Sequence, residues 1–190
     1  ISTFVISQSD ITVACATGAT CTVDASGFSG GVTIGDITGA SDVSNITLSG
    51  FTIVGDDSTV SGVTVLPRSS NVTVDGNTIS GMALANPGNA SPLAYGILTY
   101  GVSATSYMPS NLTFSNNTIS GVHGAGISLG SYTLNVSVTG NTISDIVSVD
   151  LAGSPFSVGV QAQAAAGVTV SGNTFAGSAT NILAAGVNLV

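Results

Sequence analysis

The stretch Asn71–Gly81 reads NVTVDGNTISG, and it recurs as NLTFSNNTISG from Asn111, NVSVTGNTISD from Asn135 and GVTVSGNTFAG from Gly167. A looser copy, NITLSGFTIVG, starts at Asn45. Successive copies begin 26, 40, 24 and 32 residues apart. A fixed phrase at a variable period predicts a solenoid in which some turns carry longer loops. Inside the phrase, Val72 and Val74 alternate with Thr73, so the valines share one face of a strand and the threonine takes the other. Asp75-Gly76-Asn77 interrupts that strand, because Gly and Asn both tolerate the positive φ of a sharp bend. Thr78-Ile79-Ser80 then resumes the alternation with Ile79 inward.

A third alternating segment follows each phrase: GVTVL from Gly62, YGILTY from Tyr95, AGISLG from Ala125, VGVQAQ from Val158 and AGVNLV from Ala185. Three short strands per turn describe a triangular coil. Gly, β-branched residues, Ser and Asn dominate, so no segment supports a helix. From Ser41 to the end the phrase resembles the right-handed parallel β-helix repeat of the pectate-lyase-like superfamily. That resemblance implies an all-β, right-handed, three-faced parallel β-helix of about six to seven coils, one domain over residues 1–190. Residues 1–40 read as irregular opening coils with strands in TFVIS, DITVA, CTVDA and GVTIG, and residues 41–190 as the regular repeats. Coils stacked about 4.8 Å apart place Ile46, Val72, Leu112, Val136 and Val168 in one internal ladder. Ile53, Ile79, Ile119, Ile143 and Phe175 form another, and Asn77, Asn117, Asn141 and Asn173 form a structural asparagine ladder in the bend.

Composition narrows function. The chain is 43% apolar and only 5% charged, against about 25% charged in an ordinary domain. All nine acids are Asp and the single cation is Arg68, giving a net charge of −8. Nucleic acid and anionic membrane surfaces are excluded as partners, because each needs clustered Lys and Arg. No apolar run reaches the roughly 20 residues of a membrane-spanning helix. A chain starting at Ile1 reads as a mature product after signal removal, which predicts an extracellular or cell-surface location. Cys15 and Cys21 then form a short-loop disulfide; the alternative is a pair of buried thiols.

Two segments resemble polygalacturonase motifs. VHGAGISLGS around His123 is similar to their Gly-His-Gly segment, and Gly55-Asp56-Asp57 to their paired aspartates. Inverting hydrolysis needs two carboxyls about 6.5–9.5 Å apart. Here the aspartates follow the first phrase and His123 the third, two coils or roughly 10 Å apart, where those enzymes use neighbouring coils. Their Arg-x-Lys segment has no counterpart in a chain without Lys. A Ca²⁺-dependent lyase would need a carboxylate cluster and a basic residue, and Arg68 stands beside Pro67 with Asp75 as its nearest acid in sequence. No catalytic residue, cofactor or metal is therefore expected, and the chain reads as a non-catalytic member.

The outward positions are the unusual part. Exposed strand positions ordinarily carry charge. Here Thr52, Thr78, Thr118, Thr142 and Thr174 recur, with Val54, Ser80, Ser120, Ser144 and Ala176 two residues on. Thr47, Thr73, Thr113, Ser137 and Thr169 line the neighbouring face. Three functions fit. The first is an extracellular structural protein that self-assembles through uncharged walls and uncapped ends. Thr3, Phe4 and Ile6 at the start and Gly186, Val187, Leu189 and Val190 at the end would pair head to tail into a filament. The second is ice binding by the Thr-x-Ser grid, about 7 Å by 4.8 Å, which resembles the Thr arrays of β-solenoid antifreeze proteins. The third is a carbohydrate-binding or vestigial polysaccharide-degrading module. Six N-x-S/T sequons, at Asn45, Asn71, Asn89, Asn111, Asn116 and Asn135, are either glycan attachment sites or by-products of Asn preceding an apolar-Thr-apolar strand. The expected partners are copies of the chain and attached glycans.

Overall fold

The computed structural model describes residues 3–82, 93–102, 107–151, 154–177 and 185–189. In the first coil, β1 (Phe4–Ile6), β2 (Ile11–Ala14) and β3 (Cys21–Asp24) contribute to three different sheets. The second coil repeats the order with β4 (Gly30–Ile34), β5 (Val43–Ser49) and β6 (Phe51–Val54), and the third with β7 (Ser61–Val65), β8 (Ser69–Asp75) and β9 (Thr78–Ser80). The fourth holds β10 (Ala94–Thr99), β11 (Ser110–Ser115) and β12 (Thr118–Ser120), and the fifth β13 (Gly124–Leu129), β14 (Leu134–Thr139) and β15 (Thr142–Ser144). A hairpin of β16 (Val149–Leu151) and β17 (Ser154–Phe156) is inserted before the sixth coil. That coil is β18 (Val158–Ala162), β19 (Ala166–Ser171) and β20 (Thr174–Ala176), and β21 (Ala185–Leu189) opens a seventh.

The first strand of every coil builds a seven-stranded first sheet, and the second and third strands build two six-stranded sheets. The solenoid thus has six full coils and part of another, within the expected six to seven. The opening is more regular than expected. β1, β2 and β3 already pair in register with the next coil, through Phe4↔Val32, Ile11↔Ile46 and Cys21↔Phe51. The antiparallel hairpin was not anticipated, because three-residue strands carry too little alternation to be read.

Alternation decides the core. Val32, Val63, Ile97, Ile127 and Val160 of the first sheet are buried, facing Ile46, Val72, Leu112 and Val136 of the second and Val23, Ile53, Ile79, Ile119 and Ile143 of the third. Each such side chain contributes about 1.5–3 kcal/mol by leaving water. The triangle is narrow, and a second column makes room for it. A Cβ at Gly96 would lie 2.5 Å from Ile119 Cγ2, and one at Gly126 2.5 Å from Ile143 Cγ2. Gly31 and Gly62 stand equally close to Ile53 and Ile79. Glycine near the start of β4, β7, β10 and β13 therefore lets that backbone close on the isoleucine ladder of the third sheet.

The asparagine ladder is a continuous axial chain. Asn77 Nδ2 donates to Asn117 Oδ1 at 3.1 Å, Asn117 Nδ2 to Asn141 Oδ1 at 3.0 Å and Asn141 Nδ2 to Asn173 Oδ1 at 2.9 Å. Each Oδ1 also accepts the backbone N–H of the preceding coil's corner, from Phe51 to Asn141. Every Nδ2 donates in addition to a buried carbonyl, Leu48, Val74, Phe114 or Val138. The bend residue with positive φ is Gly76, not Asn77, whose side chain is turned inward to satisfy the corner. In the first two coils the equivalent positions are Cys21 and Phe51. Cys21 is disulfide-bonded to Cys15, so a covalent link closes the corner that an amide closes further along.

Candidate functional site

Outward side chains of the second and third sheets form two walls. On the second sheet Thr12, Thr47, Thr73, Thr113, Ser137 and Thr169 stand in one register. On the third, Thr22, Thr52, Thr78, Thr118, Thr142 and Thr174 do so. The companion column there runs Asp24, Val54, Ser80, Ser120, Ser144 and Ala176. Thr12 and Thr22 extend each column by one coil beyond the expected residues. The alternation in DITVA and CTVDA carries that signal, but neither segment contains the phrase used to align the others.

Charge is distributed unevenly along the axis. Asp10, Asp24, Asp36, Asp42, Asp56, Asp57 and Asp75, together with Arg68, precede Thr78, and only Asp145 and Asp150 follow it. None of the strands β9, β11, β12, β14, β15, β19 and β20 carries a charged side chain. Several early carboxylates serve turns. Asp36 accepts the Thr38 N–H and hydroxyl and the Ser41 N–H, and these bonds, that of the Thr38 N–H foremost, hold it near a pKa of about 2. Asp56 is lowered chiefly by the Ser58 hydroxyl, then by the N–H groups of Ser58 and Gly27.

The motifs similar to polygalacturonase are not assembled into one cluster. Gly55, Gly81 and Gly121 stack in successive corners, so Asp57 and His123 share a corner two coils apart. His123 is partly buried; desolvation lowers its pKa, and the Asp57 charge opposes that shift. Arg68 sits at a different corner, between β7 and β8. Its Nε bonds Asp42 Oδ1 at 2.7 Å and its guanidinium lies 4.4 Å from the Tyr107 ring centroid.

The sequon asparagines have a backbone role. Asn45, Asn71, Asn111 and Asn135 adopt φ of 59°, 53°, 55° and 54°, and Gly167 follows in the same column at 68°. Asn is the side-chain-bearing residue that enters this left-handed region most readily. Two residues on, the outward strand position takes Thr or Ser, so the corner geometry writes a sequon without reference to glycans. Asn71 Nδ2 donates to Asn45 Oδ1 at 3.0 Å and Asn135 Nδ2 to Asn111 Oδ1 at 3.2 Å. Asn116, with φ of 53°, occupies the next corner and bonds Asp75. Asn89 lies outside the described residues.

The described residues expected to pair head to tail lie on β1 and β21, the outer strands of the first sheet, with Thr3 just before β1. Phe4, Ile6, Ile11, Val13 and Phe51 line an apolar hollow of about 410 Å³ beside β1. At β21, Leu189 is 69% exposed; Gly186 and Val187 precede it, and Val190 lies outside the described residues. A further coil, covalent or from a second copy, would add there as one more parallel strand.

The sheets, corner ladders and walls define a three-faced parallel β-solenoid. The chain belongs to the right-handed β-helix family: the family described as "Right handed beta helix region" matches residues 4–190. Among solved structures it is similar to endopolygalacturonase I from Stereum purpureum complexed with two galacturonate, at 18% sequence identity and a TM-score of 0.36. That match covers 95% of this chain and 65% of the other, so the present chain spans less than two thirds of its length. No curated protein sequence matches. No helix among the described residues is long and apolar enough to cross a membrane.

Proposed function

We propose that the protein is an extracellular, non-catalytic β-helix that associates laterally with copies of itself through its hydroxyl walls. One observation carries this reading: from Thr78 onward both walls are in-register Thr and Ser columns on strands without a charged side chain. Surface charge keeps copies of a protein apart. A flat wall of methyl and hydroxyl groups can be covered without desolvating an ion. The disulfide fits an oxidising compartment. The charge-free part of a wall, up to four coils long and about five residues wide, covers roughly 300 Å². This is well under half of what one partner buries in a stable pair, so association is reversible and rises with concentration.

Light scattering over rising concentration tests the proposal. The weight-average mass of the parent should climb, whereas Thr113→Glu combined with Thr142→Glu should hold it at the monomer with an unchanged melting transition. A parent that stays monomeric at millimolar concentration would overturn lateral association.

A second reading is favoured by the single column of six threonines on the third sheet, five of which, Thr22, Thr78, Thr118, Thr142 and Thr174, are exposed. Such a grid can order water against an ice plane. Micromolar protein should then inhibit ice recrystallisation, and Thr118→Tyr should abolish the effect while the fold survives. Absence of inhibition by the parent removes this reading.

A further inference from the structure

We infer that a second copy of the chain packs antiparallel on the charge-free part of the third-sheet wall, about a two-fold axis between the fourth and fifth coils. This rests on the lateral association proposed above and names its contact face and orientation. Thr78, Thr118, Thr142 and Thr174 stand in register on four successive coils of that wall, and all four are exposed. From the second coil on, the corner joining this sheet to the second sheet is only one or two residues long, so no loop is inserted on that side. Toward the start of the chain the same wall meets acids. Asp24 stands in its companion column, and Asp56 and Asp57 follow directly after β6.

Charge placement selects the orientation. A parallel pair that superimposes the charge-free coils also brings every other coil opposite itself. Asp24, Asp56 and Asp57 of one copy would then meet the same three residues of the other, and like charges facing across a contact cost affinity. An antiparallel pair superimposes the charge-free coils equally well. Thr78 then faces Thr174 of the second copy, and Thr118 faces Thr142. Strand direction is preserved by this rotation, so threonine column meets threonine column. The acids of the two copies lie at least five coils, about 24 Å, apart along the axis, more than two Debye lengths at about 0.1 M salt. Asp145, one residue past β15, is the remaining charge beside these strands. Its two copies sit one coil apart at the rim, across a gap of about 10 Å, where solvent and salt screen them. A two-fold contact of this kind is self-complementary and closes after two copies, so this wall yields a pair and not a growing stack.

Thr78→Cys and Thr174→Cys read the orientation, because Cys15 and Cys21 are bonded to each other and the parent has no free thiol. Both positions are exposed, so the variants should melt like the parent. Each is treated with a short bis-maleimide, alone and mixed with the other. In the antiparallel pair position 78 lies about 10 Å from position 174 of the second copy, whereas like positions are displaced by a further three coils, about 14 Å, along the axis. The mixture should therefore give about tenfold more cross-linked dimer than either variant alone. Efficient cross-linking of each variant with itself would show parallel packing and overturn the inference while leaving lateral association intact. Absence of cross-links in samples whose mass climbs in light scattering would also overturn it, since the contact would then lie on the other wall. A mass that stays at the monomer overturns both.

Discussion

Ile119→Asp should abolish the cooperative thermal transition at neutral pH, whereas Thr118→Asp, one residue earlier, should melt within about 0.5 kcal/mol of the parent. Ile119 is fully buried in the third sheet, between Ile79 and Ile143 and against the Gly96 backbone, while Thr118 is exposed. An unpaired carboxylate there costs several kcal/mol, comparable with the 5–15 kcal/mol by which a domain is stable. Burial would raise the pKa of the introduced Asp above its unfolded value of about 3.9. The charge penalty is then full above the raised folded pKa and vanishes below the unfolded one, so lowering the pH below about 4 should partly restore structure. Ile119→Val, which removes one methyl, should cost only about 0.5–1.5 kcal/mol. Circular dichroism of the variants across pH measures all of this. Equal melting of Ile119→Asp and Thr118→Asp would mean that the strand faces are assigned wrongly.

Asn117→Ala should cost about 4 kcal/mol, far more than deletion of an exposed amide. The Asn117 side chain accepts from the N–H and Nδ2 of Asn77 and donates to Val74 O and Asn141 Oδ1. Removing it takes the side-chain partner from the buried Asn77 N–H and from the Val74 carbonyl, at about 1–3 kcal/mol for each group, while Asn77 Nδ2 keeps Leu48 and Asp75 and Asn141 Oδ1 keeps the Asn117 N–H. Because the amides polarise one another along the axis, the loss should spread into both flanking coils. Asn116→Gly is the matched control: that residue is exposed with φ of 53°, a conformation glycine accepts freely, so stability should hold or rise slightly. Urea unfolding followed by hydrogen exchange would resolve both effects. Similar midpoints for Asn117→Ala and the parent would show that the ladder contributes little.

The chain's own letters determined the strands, their inward and outward faces and the corners. These depend on neighbours one to three residues apart, and in NVTVDGNTISG the alternation and the Gly bend are complete within eleven positions. The Asn ladder was legible for the same reason, although its backbone role was not: Gly76 takes the positive φ and frees Asn77 to bond inward. Which residues meet across coils is another matter, because loops of unequal length separate them and no local pattern records the register. Thr12 and Thr22 joined the walls only when β2 and β3 were seen paired with β5 and β6. The role of Gly62, Gly96 and Gly126 showed only when the isoleucines of another sheet appeared against them. Phe28 and Tyr100, far apart in the chain, come to line one hollow because the coils between them stack. Local sterics and hydrophobic alternation act over a few bonds and are written in sequence; contacts between coils follow from closing the triangle and appear only in the folded chain.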